Sequence, residues 1–190
     1  MKRIYTFAAA LLLLGGCSSD GYTIRGNVEG LESPYVYLIT FNGTHNVVDS
    51  AKVEAGVFTF TGKTELPEVA YLSKDKEQPF VRFFLENAKI AITGNLYNPN
   101  EVYPTGTEAN EAMNTFNELT YDTGEAYGVT ELEADKELLV DRYKQRMRET
   151  IDRNRGNICG MIVLAETGSM FFTPQEVIDE IDRFPAEWQQ

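Results

Sequence analysis

The chain predicts an α+β protein, an N-terminal antiparallel β-sandwich over residues 22–104 followed by a small helical subdomain over residues 105–190. Three observations predict it. Seven short runs between Tyr22 and Thr93 alternate in polarity or are rich in β-branched and aromatic residues, with turn chemistry between them. From Glu108 the apolar spacing changes to threes and fours. Two Thr-x-x-Glu patterns then read as helix starts.

A separate segment precedes the sandwich. Lys2 and Arg3 lead into the apolar stretch Ile4 to Leu14. That stretch is shorter than the ~20 residues a helix needs to cross a bilayer core, so it reads as a signal-peptide core. Leu14-Gly15-Gly16-Cys17 resembles the bacterial lipobox, in which a cysteine thiol is alkylated by diacylglycerol and a peptidase cuts before it. Residues 1–16 are thus expected to be removed, Cys17 to carry lipid, and residues 17–21 to form a tether. Each buried acyl methylene is worth ~0.8 kcal/mol, and two or more chains anchor a protein stably. The expected location is the bacterial cell envelope, lipid-anchored at the outer membrane on its periplasmic or surface face. Ser18 to Gly21 reach at most ~14 Å when extended, which keeps the body near the bilayer.

The strand runs follow in order. Tyr22 to Glu29 broadly alternates; Tyr35 to Phe41 is aromatic and β-branched and ends at Asn42-Gly43; Val47 to Val53 returns. Ala55-Gly56 turns into Val57 to Thr61, where Phe58 and Phe60 share a face. Val69 to Leu72, Phe80 to Leu85 and Lys89 to Thr93 complete the series. Among the helices, Glu108 to Tyr121 places Ala112, Phe116 and Leu119 at helical spacing. Thr130-Glu131-Leu132-Glu133 reads as a capping box opening a helix to about Asn154, with the stripe Leu132, Leu139, Tyr143, Met147 and Ile151. Asn157 to Glu166 reads as a short buried helix. Thr173-Pro174-Gln175-Glu176 is a second capping box, whose helix turns Val177, Ile178, Ile181 and Phe184 inward before Pro185 ends it.

Composition narrows the function classes. Without residues 1–16 the chain has 15 basic and 29 acidic side chains, net −14. Such a balance excludes general nucleic-acid binding, which replaces phosphate counterions with basic surface. With Cys17 lipidated, Cys159 stands alone, so no intramolecular disulfide or C-x-x-C dithiol exists; its apolar run, Ile158 to Leu164, marks it as a buried small hydrophobe. Acidity concentrates in residues 105–190, with 8 basic and 18 acidic side chains. There Arg142, Lys144, Arg146, Arg148, Arg153 and Arg155 crowd one helix end, which reads as a solvated, dipole-complementing end, with docking to headgroups or an acidic partner as the alternative.

Gly26-Asn27-Val28-Glu29-Gly30-Leu31, the stretch Val48 to Gly62 around Asp49-Ser50-Ala51 and Gly56-Val57-Phe58-Thr59-Phe60, Phe83 to Gly94, and Tyr103 to Asn110 together resemble the lipoprotein domain of unknown function 4369. That domain usually precedes a thioredoxin-like domain in Bacteroidetes envelope thiol–disulfide oxidoreductases. The resemblance implies the fold, the anchoring and a Bacteroidetes-like origin. The redox activity does not carry over, because the sequence stops at Gln190, about where the thioredoxin-like domain would start, and lacks the catalytic cysteine pair. Asp49 and Ser50 are expected to order a strand end through side-chain bonds to backbone.

Motifs for catalysis are missing. His45, the sole histidine, reads as a surface residue beside the Asn42-Gly43 turn and cannot alone build a histidine metal site. No nucleophile elbow or glycine-rich phosphate cradle occurs. No metal and no cofactor are expected. The aromatic residues Tyr35, Tyr37, Phe41, Tyr71, Phe80, Phe83 and Phe84 are expected mostly in the core, with an exposed tyrosine face as a possible glycan or peptide site. The leading expectation is a non-catalytic, membrane-anchored binding or interaction module. One alternative is an accessory of a thioredoxin-like oxidoreductase, docking through an apolar patch near Phe184 and Trp188. The other is an enzyme with an unrecognised carboxylate site.

Overall fold

Alternation along the strands becomes two layers facing one another across an apolar core. The computed structural model describes residues 20–41, 45–98 and 101–189; the expected signal peptide and Cys17 lie outside the described residues. One sheet has the order β4-β1-β7-β8, from β1 (Tyr22–Glu29), β4 (Val57–Gly62), β7 (Lys89–Asn95) and β8 (Glu101–Thr105). The other has the order β3-β2-β5-β6, from β2 (Tyr35–Phe41), β3 (His45–Lys52), β5 (Glu68–Ser73) and β6 (Pro79–Leu85). Ile24, Phe58, Phe60, Ile90 and Ile92 of the first sheet meet Val36, Leu38, Leu72, Phe83 and Leu85 of the second.

Two features depart from the expected seven-stranded antiparallel sandwich. An eighth strand, β8, pairs antiparallel with β7, and Pro104 is accommodated because β8 is an edge strand. The pair at the centre of the first sheet, β1 with β7, is parallel, with Ile24 opposite Ile90 and Gly26 opposite Ile92. The second sheet intervenes in sequence between these two neighbours, so the chain returns to β1 in the same direction. The resembling motif gains a reason here: Gly26 faces Phe58 across the β1–β4 pair, and a Cβ at 26 would enter the Phe58 ring.

Asp49 and Ser50 sit within β3, not at its end. The β2–β3 register slips between Leu38 and Ile39, and beside that bulge the Ser50 N–H donates to Asp49 Oδ1 at 2.6 Å. His45 opens β3 opposite Phe41; its side chain, and those of Phe41 and residues 46–48, lie outside the described residues.

Four helices follow: α1 (Glu108–Val129), α2 (Glu133–Arg153), α3 (Ile158–Phe171) and α4 (Pro174–Ile181), then a 3-10 turn, Ala186–Trp188. They cover the outer side of β6. Phe84 is buried among Ala109, Phe116, Tyr143, Met147, Ile151, Cys159 and Phe184 in a second core. The lower stripe of α2 (Tyr143, Met147, Ile151) is buried as expected, but Leu132 is exposed. The reason lies in α1, which runs through Gly124 and Gly128 to Val129. Thr130 therefore closes α1, its hydroxyl donating to the Ala126 carbonyl at 2.7 Å, and Leu132 caps α2 without a side-chain bond.

The capping box at Thr173 forms as expected, with Thr173 Oγ1 accepting from the Glu176 N–H and Glu176 accepting from the Thr173 N–H. The inner face of α4 differs: Ile178 and Ile181 are exposed and Glu180 is buried. Glu180 is drawn in by three guanidiniums, those of Arg148, Arg155 and Arg183.

Candidate functional site

Asn110, in the first turn of α1, docks that helix on the sandwich. Its Oδ1 accepts from the Phe84 N–H at 2.8 Å, and its Nδ2 donates to the Phe84 carbonyl at 2.9 Å. The side chain thus occupies the place of a neighbouring strand on the outer edge of β6. One turn later Asn114 Nδ2 donates to the Pro104 carbonyl at 2.7 Å. Beyond that bond α1 leaves the sheet. At 1.5 Å per residue, Asp122 lies ~12 Å past Asn114 along the helix axis.

The widening gap between β6, β8 and α1 is a cleft of about 620 Å³. At its inner end stand Arg82, Pro104 and Asn114; at its outer end Glu101, Tyr121 and Asp122. Arg82 is chelated by Glu166 of α3 at 3.0 and 2.5 Å, so the cation on this wall is already neutralised. Asn98 Nδ2 holds Glu101 Oε1 at 2.6 Å. Tyr121 is 56% exposed, and its hydroxyl donates to Glu125 Oε1 at 2.8 Å, which fixes the ring and raises the phenol above its ordinary pKa. Arrangements of this kind stack planar or apolar groups on the rings and accept donors at the carboxylates.

The cleft also has a fixed direction. The first sheet begins at Tyr22, opposite Gly62, with Thr23 opposite Lys89, whereas Glu101 pairs with Asn95 and Asn95 with Glu29 at the far end of β1. Eight strand residues separate those ends, roughly 25 Å at ~3.3 Å per residue. The outer end of the cleft therefore lies at the end of the sandwich away from Tyr22.

Few of these residues were legible beforehand. Of the aromatic residues expected mostly in the core, Phe83 and Phe84 are buried, Phe80 lines the cleft, and Tyr37 carries Lys76 over its ring at 4.8 Å. Tyr103 and Tyr121 were missed; the alternation Val102-Tyr103-Pro104 was the available signal, masked by its proline.

Other expected features are placed as follows. Cys159 is fully buried, and burial pushes its thiol up to about 12. Phe184 is 3% exposed under the Arg155 guanidinium and Trp188 packs partly buried on the helical core, while Ile178 and Ile181 of α4 stay exposed. Two cations at the basic end of α2 are engaged, Arg148 with Glu176 at 3.1 Å and Arg155 with Asp152 at 2.6 Å, while Arg146 and Arg153 stay largely exposed, as a solvated helix end would. Among the described residues no three His, Cys, Asp or Glu side chains are grouped to hold a metal ion, and no helix is long and apolar enough to cross a membrane.

The sandwich and the start of α1 are also what comparison with known families recovers: residues 22–113 match the family described as "Domain of unknown function (DUF4369)". No curated protein and no solved structure matches the chain. Tyr22 to Met113 of this chain accordingly belong to that family of domains.

Proposed function

We propose that this chain is a membrane-anchored, non-catalytic lipoprotein of the bacterial envelope that acts as a binding module, held by lipid on Cys17 and taking its ligand in the cleft between β6, β8 and α1. The observation that carries the reading is that cleft itself, with exposed rings, amides and carboxylates around about 620 Å³ at the end of the sandwich away from the tether. A short lipid tether brings one end of the body to the bilayer, and a ligand site is useful at the other.

Two measurements test the two halves. Mass spectrometry of protein from native cells should find diacylglycerol on Cys17, and Cys17→Ser should move the chain from the membrane to the soluble fraction. Unmodified Cys17 in freely soluble protein overturns the anchoring. For the cleft, short soluble peptides and oligosaccharides are screened by thermal shift against the full chain and against Asn117→Trp, which fills the cleft from α1. At least one probe class should stabilise the former and not the latter; equal responses throughout overturn the cleft as the site.

A further inference from the structure

Among the described residues, Glu101, Glu118 and Asp122 of the cleft form no ion pair. Glu118 and Asp122 are four residues apart on α1 and so lie on one face, opposite Glu101 of β8. Arg82, the cation of the lining, is committed to Glu166. The field continues past the cleft: residues 118–141 contain eight acidic side chains and one basic one, Lys136. Lys136 is itself engaged, paired with Glu133 at 3.1 Å and lying 5.4 Å over the Tyr127 ring. Like charges so placed repel one another and lower the potential in the gap between them. Rings stand among them, Phe80, Tyr103 and the exposed Tyr121.

Carboxylates beside aromatic faces favour an ammonium or guanidinium group over a neutral or anionic one, since both the charges and the ring quadrupoles attract a cation. Length selects the form of the ligand. The ~12 Å between Asn114 and Asp122 fits about four extended residues at ~3.3 Å each. At the inner end the Asn117 amide and the Oδ1 of Asn114, whose Nδ2 is held by the Pro104 carbonyl, match main-chain peptide groups. We infer that the cleft receives an extended basic peptide segment of a partner protein, its Lys or Arg side chains at Glu101, Glu118 and Asp122. This rests on the reading of the cleft as the ligand site and names the ligand class.

The test uses the lipidated full chain in nonionic detergent and fluorescence anisotropy of three labelled probes: a short Lys- and Tyr-containing peptide, the same peptide with Glu for Lys, and a neutral oligosaccharide. The basic peptide should bind. Its affinity should fall about tenfold in the isosteric E118Q/D122N variant, as expected for two partly exposed charges, and fall again as salt rises from about 0.05 to about 0.3 M. The variant should keep the wild-type melting temperature. Binding of the oligosaccharide that Asn117→Trp abolishes, without binding of the basic peptide, overturns the ligand class and leaves the cleft reading standing. Equal binding of the acidic peptide, or of the basic one in E118Q/D122N, also overturns the class. Failure of every probe overturns both.

Discussion

Asn110 shows how one side chain joins a helix to a sheet edge. It is fully buried and satisfies both main-chain polar groups of Phe84, while its Nδ2 also reaches Thr107 Oγ1 at 2.9 Å. Asn110→Ala leaves a buried N–H and a buried C=O without partners, at about 1–3 kcal/mol for each. Urea denaturation should register a loss of about 2–6 kcal/mol, large for one exposed-looking helix residue in an acidic stretch. In the sequence Asn110 stood out only as part of the motif Tyr103 to Asn110; its bonds to a strand 26 residues earlier had no local signature. Cys159 behaves oppositely, because its apolar neighbours in sequence already described its environment. Burial holds the thiol near 12, so a thiol reagent at pH 8 should label it only after unfolding. A pKa raised above the ordinary 9.0 leaves stability intact below pH 9 and removes it as pH climbs toward 12. Cys159→Ala should flatten that alkaline loss, measured as melting temperature against pH.

Helix ends were legible where a side chain caps them and misread where tertiary contacts extend them. The Thr173 box forms as written, because its bonds lie within four residues. Thr130 offers the same pattern but finishes α1 instead, since α1 gains enough from packing Phe116 on Tyr143 and Phe84 to persist through two glycines. The junction of α2 with α4 likewise depends on partners far apart in sequence. Asp152 is held below its ordinary pKa, chiefly by the hydrogen bond from Arg155, and Glu176 below its own, chiefly by the Thr173 N–H and then by the Thr173 hydroxyl and Arg148. Depressed carboxylates stabilise above their ordinary values of 3.8 and 4.5 and lose that contribution as pH falls through the folded values. The melting temperature should therefore drop between about pH 5 and about pH 2, and D152N/E176Q should lower it near neutrality while shrinking the acid-dependent part. An unchanged acid slope in that variant assigns the loss to other carboxylates.

Taken as one body, the chain places Tyr22, where the proposed tether would join, and the cleft at opposite ends of the first sheet, because β1 is long enough to run the height of the sandwich and β8 returns along it. On vesicles carrying the lipidated chain, a fluorophore at position 66, in the loop after Gly62, should be quenched by headgroup-attached quenchers more than one at position 98. Equal quenching means that the body lies on its side and the cleft edge touches lipid. Such labelling at introduced cysteines is practical because Cys159 is inaccessible in the folded chain.

Among the described residues, seven of eight strands, four helices and one of the two expected capping boxes, that of Thr173, were visible in the order of residues, since period-two and period-3.6 patterns and capping residues act within a few positions. The expected lipidation of Cys17 is likewise a matter of adjacent residues alone. Three things depended on the folded chain: the parallel pairing of β1 with β7, the burial of Glu180 beneath three arginines, and the cleft that opens where α1 parts from β8. Each brings together groups from separate elements, and neither hydrophobic period nor local hydrogen bonding carries information from one element to another.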